Sequence, residues 1–396
     1  MLSHYLVEHA DVSTRRLAVI GLPGEVVDPA RLTTPDLHLL GQGAGLINHI
    51  LDYRSRLLAP GKRFAFQIVE RDDWQAKVLP SDRGGLVLVT SGLIEDLYAL
   101  MLQLSYVEGF AELFDIGGAV HHFSQAITGG NWVDALLTSP TPEPTVDQYL
   151  AGQELAQLAL GVLVNHEIGH AINGHRGVFG ATFESFDERG AAAIVLATST
   201  DAGVSPDWAV RQVLEIDADS FGIGVTLLDA LAGHYPADWE GADGPRPPVT
   251  IGDPRRAIRA VGIANRVLWA CLDPEGEDTN SAVWTRTHPP VAFRVHVTAR
   301  VLASNLAAIE ALRPRGAPEF SLEDGRRWHA EAMEAFRRLI GQLDADLAER
   351  LDRFDKDALD AHEARLRPTW NQVKSQLPPY RMMNRARGAI RDDPRG

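Results

Sequence analysis

Two histidines flank a glutamate in the stretch His166-Glu167-Ile168-Gly169-His170. On an α-helix, residues four apart share a face, so His166 and His170 can aim imidazole nitrogens at one ion. Glu167 lies about 100° round the helix from His166, beside the ion's open position rather than on it. A carboxylate there can take a proton from a water that the metal has acidified. Such chemistry needs two neutral imidazoles, a third protein ligand and one open position.

The third ligand decides the class of site. A glycine three residues and a histidine six residues beyond His170 would mark the arrangement HExxHxxGxxH. Asn173 and Arg176 stand there instead. His175 is off by one and lies past a helix end expected at Gly174, so it reads as an ordinary loop histidine, with third-ligand duty the lesser reading. Downstream, EIDADSFG (residues 215–222) puts Glu215 and Asp219 four apart on a second helix. Glu215 would complete a two-histidine, one-carboxylate zinc site. Asp219, one turn on, would accept the Nδ1 hydrogen of a liganding histidine, most simply His166. Ala218 and Gly222 are small and let this helix come close to the first. Taken alone, Glu215, Asp217 and Asp219 are an acidic solvated face; beside the upstream motif, the metal reading is preferred. One further piece is His288, set before two prolines that stiffen the loop, with Arg294 at the start of an apolar helix. By itself that is a helix entry with an incidental histidine.

These residues need elements to hold them. The periodicity predicts a helix over 151–173, which carries the apolar run LAQLALGVLV just ahead of the histidine pair and is ended by Gly174. A second helix is expected from Ser205-Pro206-Asp207, with serine as N-cap and proline at the first helical position, to about Leu231. Upstream, RLAVIGLPGE (16–25) and KRFAFQIVE (62–70) read as strands, the latter from the alternation of Phe64, Phe66 and Ile68. GGLVLVTSGL (84–93) reads as a glycine turn and a buried or half-buried strand. GQGAGL (41–46) fails as a dinucleotide loop because its sixth position is Leu46. Segment 97–150 is rich in turn residues, and its His121 and His122 read as solvated. Residues 233–254 are a linker by composition, 320–377 are helical with dense charge pairing, and 381–396 a loose tail.

The 396 residues, 45% hydrophobic and 23% charged, are an ordinary globular composition with room for more than one structural unit. A net charge of −15 without a basic stripe argues against nucleic acid as a partner. The single cysteine, Cys271, excludes an intrachain disulfide framework, fits a reducing compartment and reads as a core thiol. The first residues lack the basic and apolar regions of a signal peptide, and the apolar run before the motif is far short of a membrane span. The expectation is a soluble, cytoplasmic protein without membrane insertion; the oligomeric state stays open.

HEIGH, then EIDADSFG, then THPPVAFR resembles the gluzincin metallopeptidases of the CAAX prenyl protease and HtpX type. WQAKVLPSDRGGLVLVTSGLIED (74–96) resembles that family's strand-and-turn segment, and the four segments occur in the family's order over about 75 residues. The resemblance implies an active-site helix, a small sheet and a second helix bearing Glu215. It implies that an edge strand around Leu86 to Val89 pairs with an extended substrate by backbone hydrogen bonds. It also implies that His288 lies near the zinc, as an oxyanion stabiliser or as a fourth ligand at rest. The chain departs from the family in lacking transmembrane helices and in the roughly 70 residues between Gly92 and His166. Nothing in it points to prenylated substrates.

The sequence therefore predicts an α+β, mostly helical chain: a zincin-like core with a small sheet, plus C-terminal helices. Its parts are 1–96 with the substrate-pairing strand, an insertion or lid at 97–150, a catalytic core at 151–310, helices at 318–380 and the tail 381–396. The expected activity is zinc-dependent hydrolysis of a protein or peptide substrate. His166, His170 and Glu215 would bind zinc, Glu167 would act as base, and Asp219 and Arg294 would support them. Two rivals are a selective stress or phage-exclusion type of protease effector, and a zinc-stabilised binding module without turnover.

Overall fold

The fold is mostly helical with one small mixed sheet, an α+β arrangement. The computed structural model describes residues 2–6, 17–18, 21–34, 37–58, 60–81, 84–107, 114, 132–138, 143–175, 208–233, 240–241, 244–245, 253–272, 288–311, 320–343 and 356–377. In chain order these form β1 (Glu25–Val26), a 3-10 turn (Arg31–Thr33), α1 (His38–Ser55), β2 (Arg63–Glu70), β3 (Ala76–Ser81) and β4 (Gly84–Thr90). There follow α2 (Ser91–Ser105), α3 (Trp132–Thr138), α4 (Val146–Ile172), α5 (Trp208–Ala232), the short pair β5 (Glu240–Gly241) and β6 (Gly244–Pro245), and α6 (Pro254–Leu272). The last elements are α7 (Val291–Ala311), α8 (Leu322–Leu343) and α9 (Lys356–Gln376). The chain divides into two compact units, neither continuous in sequence: Met1–Glu95 with Leu163–Ala218 and Ala364–Gly396, and Asp96–Val162 with Asp219–Glu363. No helix among the described residues is long and apolar enough to cross a membrane.

In the first unit the sheet runs in the order β1-β2-β4-β3, with β2 and β4 parallel and the outer strands antiparallel to their neighbours. Two expectations change here. β4 is not an edge: it pairs with β2 on one side and β3 on the other, and all seven of its residues are buried. A continuous apolar run is what a strand covered on both faces requires, and Gly84-Gly85-Leu86-Val87-Leu88-Val89 is such a run. β3 holds the edge of the described sheet, and its Pro80, which has no N–H to donate, suits an edge position. The second change concerns 16–25, where Leu17 and Ala18 are helical and the strand comes only at Glu25–Val26. β2 is also buried on both faces rather than alternating, with α1 packed against it. Gln67 at its centre donates from Nε2 to the Leu6 carbonyl, which makes that burial tolerable. GQGAGL lies inside α1, where Gly41 passes so near the Leu32 carbonyl that a Cβ would sit 2.3 Å from it.

α4 starts earlier than its periodicity predicts, at Val146 rather than 151. The cause is a capping box. Thr145 Oγ1 accepts from the Gln148 N–H, and the Gln148 side chain accepts from the Thr145 N–H at 3.1 Å. Its far end agrees with expectation, because Gly174 adopts φ +80° just past the last turn. α5 ends at Ala232, close to the predicted Leu231. Its proposed N-cap at Ser205, the histidines 121 and 122, half of the 97–150 segment and the tail lie outside the described residues.

In the second unit, α6, α7 and α8 pack on one another. α6 begins with Asp253 capping the N–H groups of Arg255 and Arg256 and with Pro254 at its first position. Cys271 is half-buried near its end, not in the core as read from its apolar neighbours. Trp269 Nε1 donates to Asn265, Asn265 donates to Thr298, and Thr298 donates to the Arg294 carbonyl, so α6 and α7 share a buried polar ladder. His329 of α8 faces Gly262 of α6, where a Cβ would lie 3.0 Å from the ring. Burial alone pushes this imidazole down from 6.5 to about 4. A histidine held neutral in the fold binds more protons when unfolded. Its contribution is complete above pH 6.5 and is lost as pH falls towards 4, for a total of about 3 kcal/mol. Urea midpoints at pH 7 and pH 4.5 should therefore differ less for His329→Leu than for the wild type. An equal drop in both proteins would show that His329 does not set this acid sensitivity.

Candidate metal centre

Three side chains from two helices meet in the first unit. Near the end of α4, His166 and His170 stand one turn apart with their rings nearly perpendicular and their Nε2 atoms 3.1 Å apart. Glu215 of α5 reaches both, with Oε2 3.5 Å from His166 Nε2 and Oε1 3.4 Å from His170 Nε2. Zinc bonds of about 2.05 Å in a tetrahedron set neighbouring ligand atoms about 3.3 Å apart. The two nitrogens lie near that spacing and Glu215 brings one oxygen close to each, so the donor set suits a metal ion. The residue before the motif, Asn165, is fully buried and accepts from Arg54 Nε at 3.0 Å, which ties α1 to this end of α4.

Glu167 is buried beside the cluster and points at the sheet edge, where the Val78 N–H of β3 donates to its carboxylate. That bond shows which way β3 faces. Gln75 accepts from the Thr90 N–H, so odd-numbered residues pair with β4 and the even ones, Ala76 and Val78, turn their backbone groups outward. Burial raises the Glu167 carboxyl from 4.5 to about 6, against the pull of His166, the Val78 N–H and Lys77; Glu215 adds to the rise. Lys77 is itself held below its ordinary value by burial, with Glu167 opposing.

His175 and Asp217 are where sequence reasoning fell short. His175 is 2% exposed, and its Nδ1 lies 2.8 Å from His170 Nδ1. Its Nε2 lies 2.8 Å from Asp217 Oδ2, which also accepts from Asn173 Nδ2 at 2.7 Å. It is neither a loop histidine in solvent nor the third ligand. The left-handed Gly174 turns the chain back so that the ring lies against the last turn of α4. That glycine was the one sequence signal for such a return.

The other expected residues belong to the second unit. Asp219 is buried and accepts from Arg294 Nη1 at 2.8 Å. The Arg294 guanidinium also lies 3.8 Å over the Trp269 ring. The pair foreseen as supporting residues is thus a pair with each other, and this partner of Asp219 was not foreseen. His288 is exposed, just ahead of Pro289, Pro290 and α7. A second group that could hold a metal, His296 with Asp360 and Glu363, is also here. Lys356 already pairs with Asp360 and Arg300 with Glu363, so an ion would have to displace both. The α4–α5 cluster is the better metal site.

Together these features define an α+β chain carrying a two-histidine, one-glutamate cluster able to hold a metal ion. No protein-family model, curated protein or solved structure matches it significantly.

Proposed function

We propose that the chain is a zinc-dependent endopeptidase of the gluzincin kind. The observation that carries this is the meeting of His166, His170 and Glu215 with a buried carboxylate, Glu167, set between that cluster and an outward-facing strand edge. A structural metal site has no use for such a carboxylate; a hydrolase needs one as base. His166, His170 and Glu215 would hold the ion. When bound, zinc acidifies water and polarises a carbonyl.

The rest of the reaction belongs to the protein. Glu167 accepts a proton from the attacking water and then delivers it to the leaving amine. β3 replaces β4 as the substrate-pairing strand. An extended peptide would add along β3 through the outward backbone groups of Ala76 and the Val78 carbonyl, the Val78 N–H being held by Glu167, which places its carbonyls close to Glu167 and selects conformation more than side chains.

The test joins metal content to turnover. Purified wild-type chain should hold about one zinc and cleave an unfolded protein such as casein. His166→Ala, His170→Ala and Glu215→Ala should each lose most of the metal and all cleavage. Full zinc in Glu215→Ala would remove it from the ligand set, and zinc without cleavage of any substrate would favour the binding-module reading.

A further inference from the structure

His170 is held from behind. A ring that binds a cation through Nε2 must carry its proton on Nδ1. In this chain His170 Nδ1 faces His175 Nδ1 at 2.8 Å, so His175 must accept there. An imidazole that accepts at Nδ1 carries its own proton on Nε2, and His175 Nε2 faces Asp217 Oδ2 at 2.8 Å. Asn173 Nδ2 donates to that same oxygen and holds the carboxylate in place. Once His170 is a ligand, every proton along the line is assigned.

We propose that His175 and Asp217 are positioning residues that fix the tautomer and ring orientation of His170 and put a negative charge behind the metal site. The inference rests on the reading of His166, His170 and Glu215 as metal ligands. Metal-bound histidines commonly donate their second nitrogen to a carboxylate or carbonyl directly, which fixes the ring and makes it a better ligand. Here a second imidazole is inserted, so the charge acts through two hydrogen bonds. The local sequence explains why. Asp217 is on α5, two residues after Glu215, and so on a different face from it. Gly174, at φ +80°, folds His175 back to span the gap. A buried histidine must satisfy both nitrogens, and His175, 2% exposed, satisfies them on these two groups.

The experiment is zinc affinity by chelator competition, with the cobalt-substituted protein's visible spectrum as a report on ligand geometry. His175→Ala and Asp217→Ala should each weaken zinc about 10- to 100-fold and shift the cobalt bands. The double variant should lose no more than the worse single one, because the two residues act in series. His175→Gln should recover most of the affinity, since its amide can accept from His170 with Oε1 and donate to Asp217 with Nε2. A purely structural histidine would show neither the rescue nor the non-additivity. Asp217 is partly exposed, so Asp217→Ala decides the matter if His175→Ala does not fold. Unchanged affinity and spectrum in a folded Asp217→Ala would overturn the relay. A wild-type chain that takes up no zinc would instead overturn the metal reading beneath it.

Discussion

Glu167→Gln is expected to lower peptide hydrolysis about 100- to 10,000-fold, the usual worth of one general acid–base group, with zinc content unchanged. The same substitution should stabilise the metal-free chain at neutral pH. Burial, aided by Glu215, raises the folded carboxyl from 4.5 to about 6. The charged form is therefore disfavoured in the fold by about 2 kcal/mol. The direction follows from linkage. The protonated side chain contributes its stability fully below pH 4.5, and that stability is lost as pH rises through 6. Glutamine has the shape of the protonated acid and can still accept from the Val78 N–H, so it keeps the contribution at every pH. Denaturant midpoints with a chelator present should show the variant about 1–2 kcal/mol more stable at pH 7.5, with the gap closing towards pH 4.5. A residue retained at a cost to stability is one retained for chemistry. Hydrolysis that survives in Glu167→Gln would remove it as the base.

Asp219→Ala is expected to cost about 3–5 kcal/mol, because it leaves the Arg294 guanidinium buried without its carboxylate. Arg294 is 3% exposed and Asp219 1%, so water cannot take over that role. The stacking of Arg294 on Trp269 survives the change but does not neutralise the charge. From its spacing after Glu215, Asp219 would instead be a support for a liganding histidine, and its loss a loss of zinc affinity in a stable chain. The ion pair predicts the reverse order of effects, a large loss of stability first. Asp219→Leu combined with Arg294→Met should recover most of the loss, since a buried pair can be replaced by apolar groups far more cheaply than it can be broken. Urea titration of the single and double variants in the absence of zinc tests this. A single-variant loss below about 1 kcal/mol would show that the pair carries no such weight.

The periodic spacing of His166 and His170 put both on one face of a helix ended by Gly174, and Glu215 on a second helix. These statements are local, since a helix repeats over four residues and a left-handed terminus needs glycine. Further local signals lie in the same sequence. Thr145-Val146-Asp147-Gln148 spells a capping box, and the unbroken apolar run of β4 with Pro80 in β3 marks which strand is central and which is at the edge. What only the tertiary structure decided is which faces meet. Glu215 comes to the histidine pair across more than forty residues of chain. Val78 rather than a residue of β4 meets Glu167, His175 turns inward to Asp217, and Asp219 turns to Arg294. Spacing gives the direction of a side chain about its own axis. The partner in that direction is set by how whole apolar surfaces are buried together, which the pattern of one element does not contain.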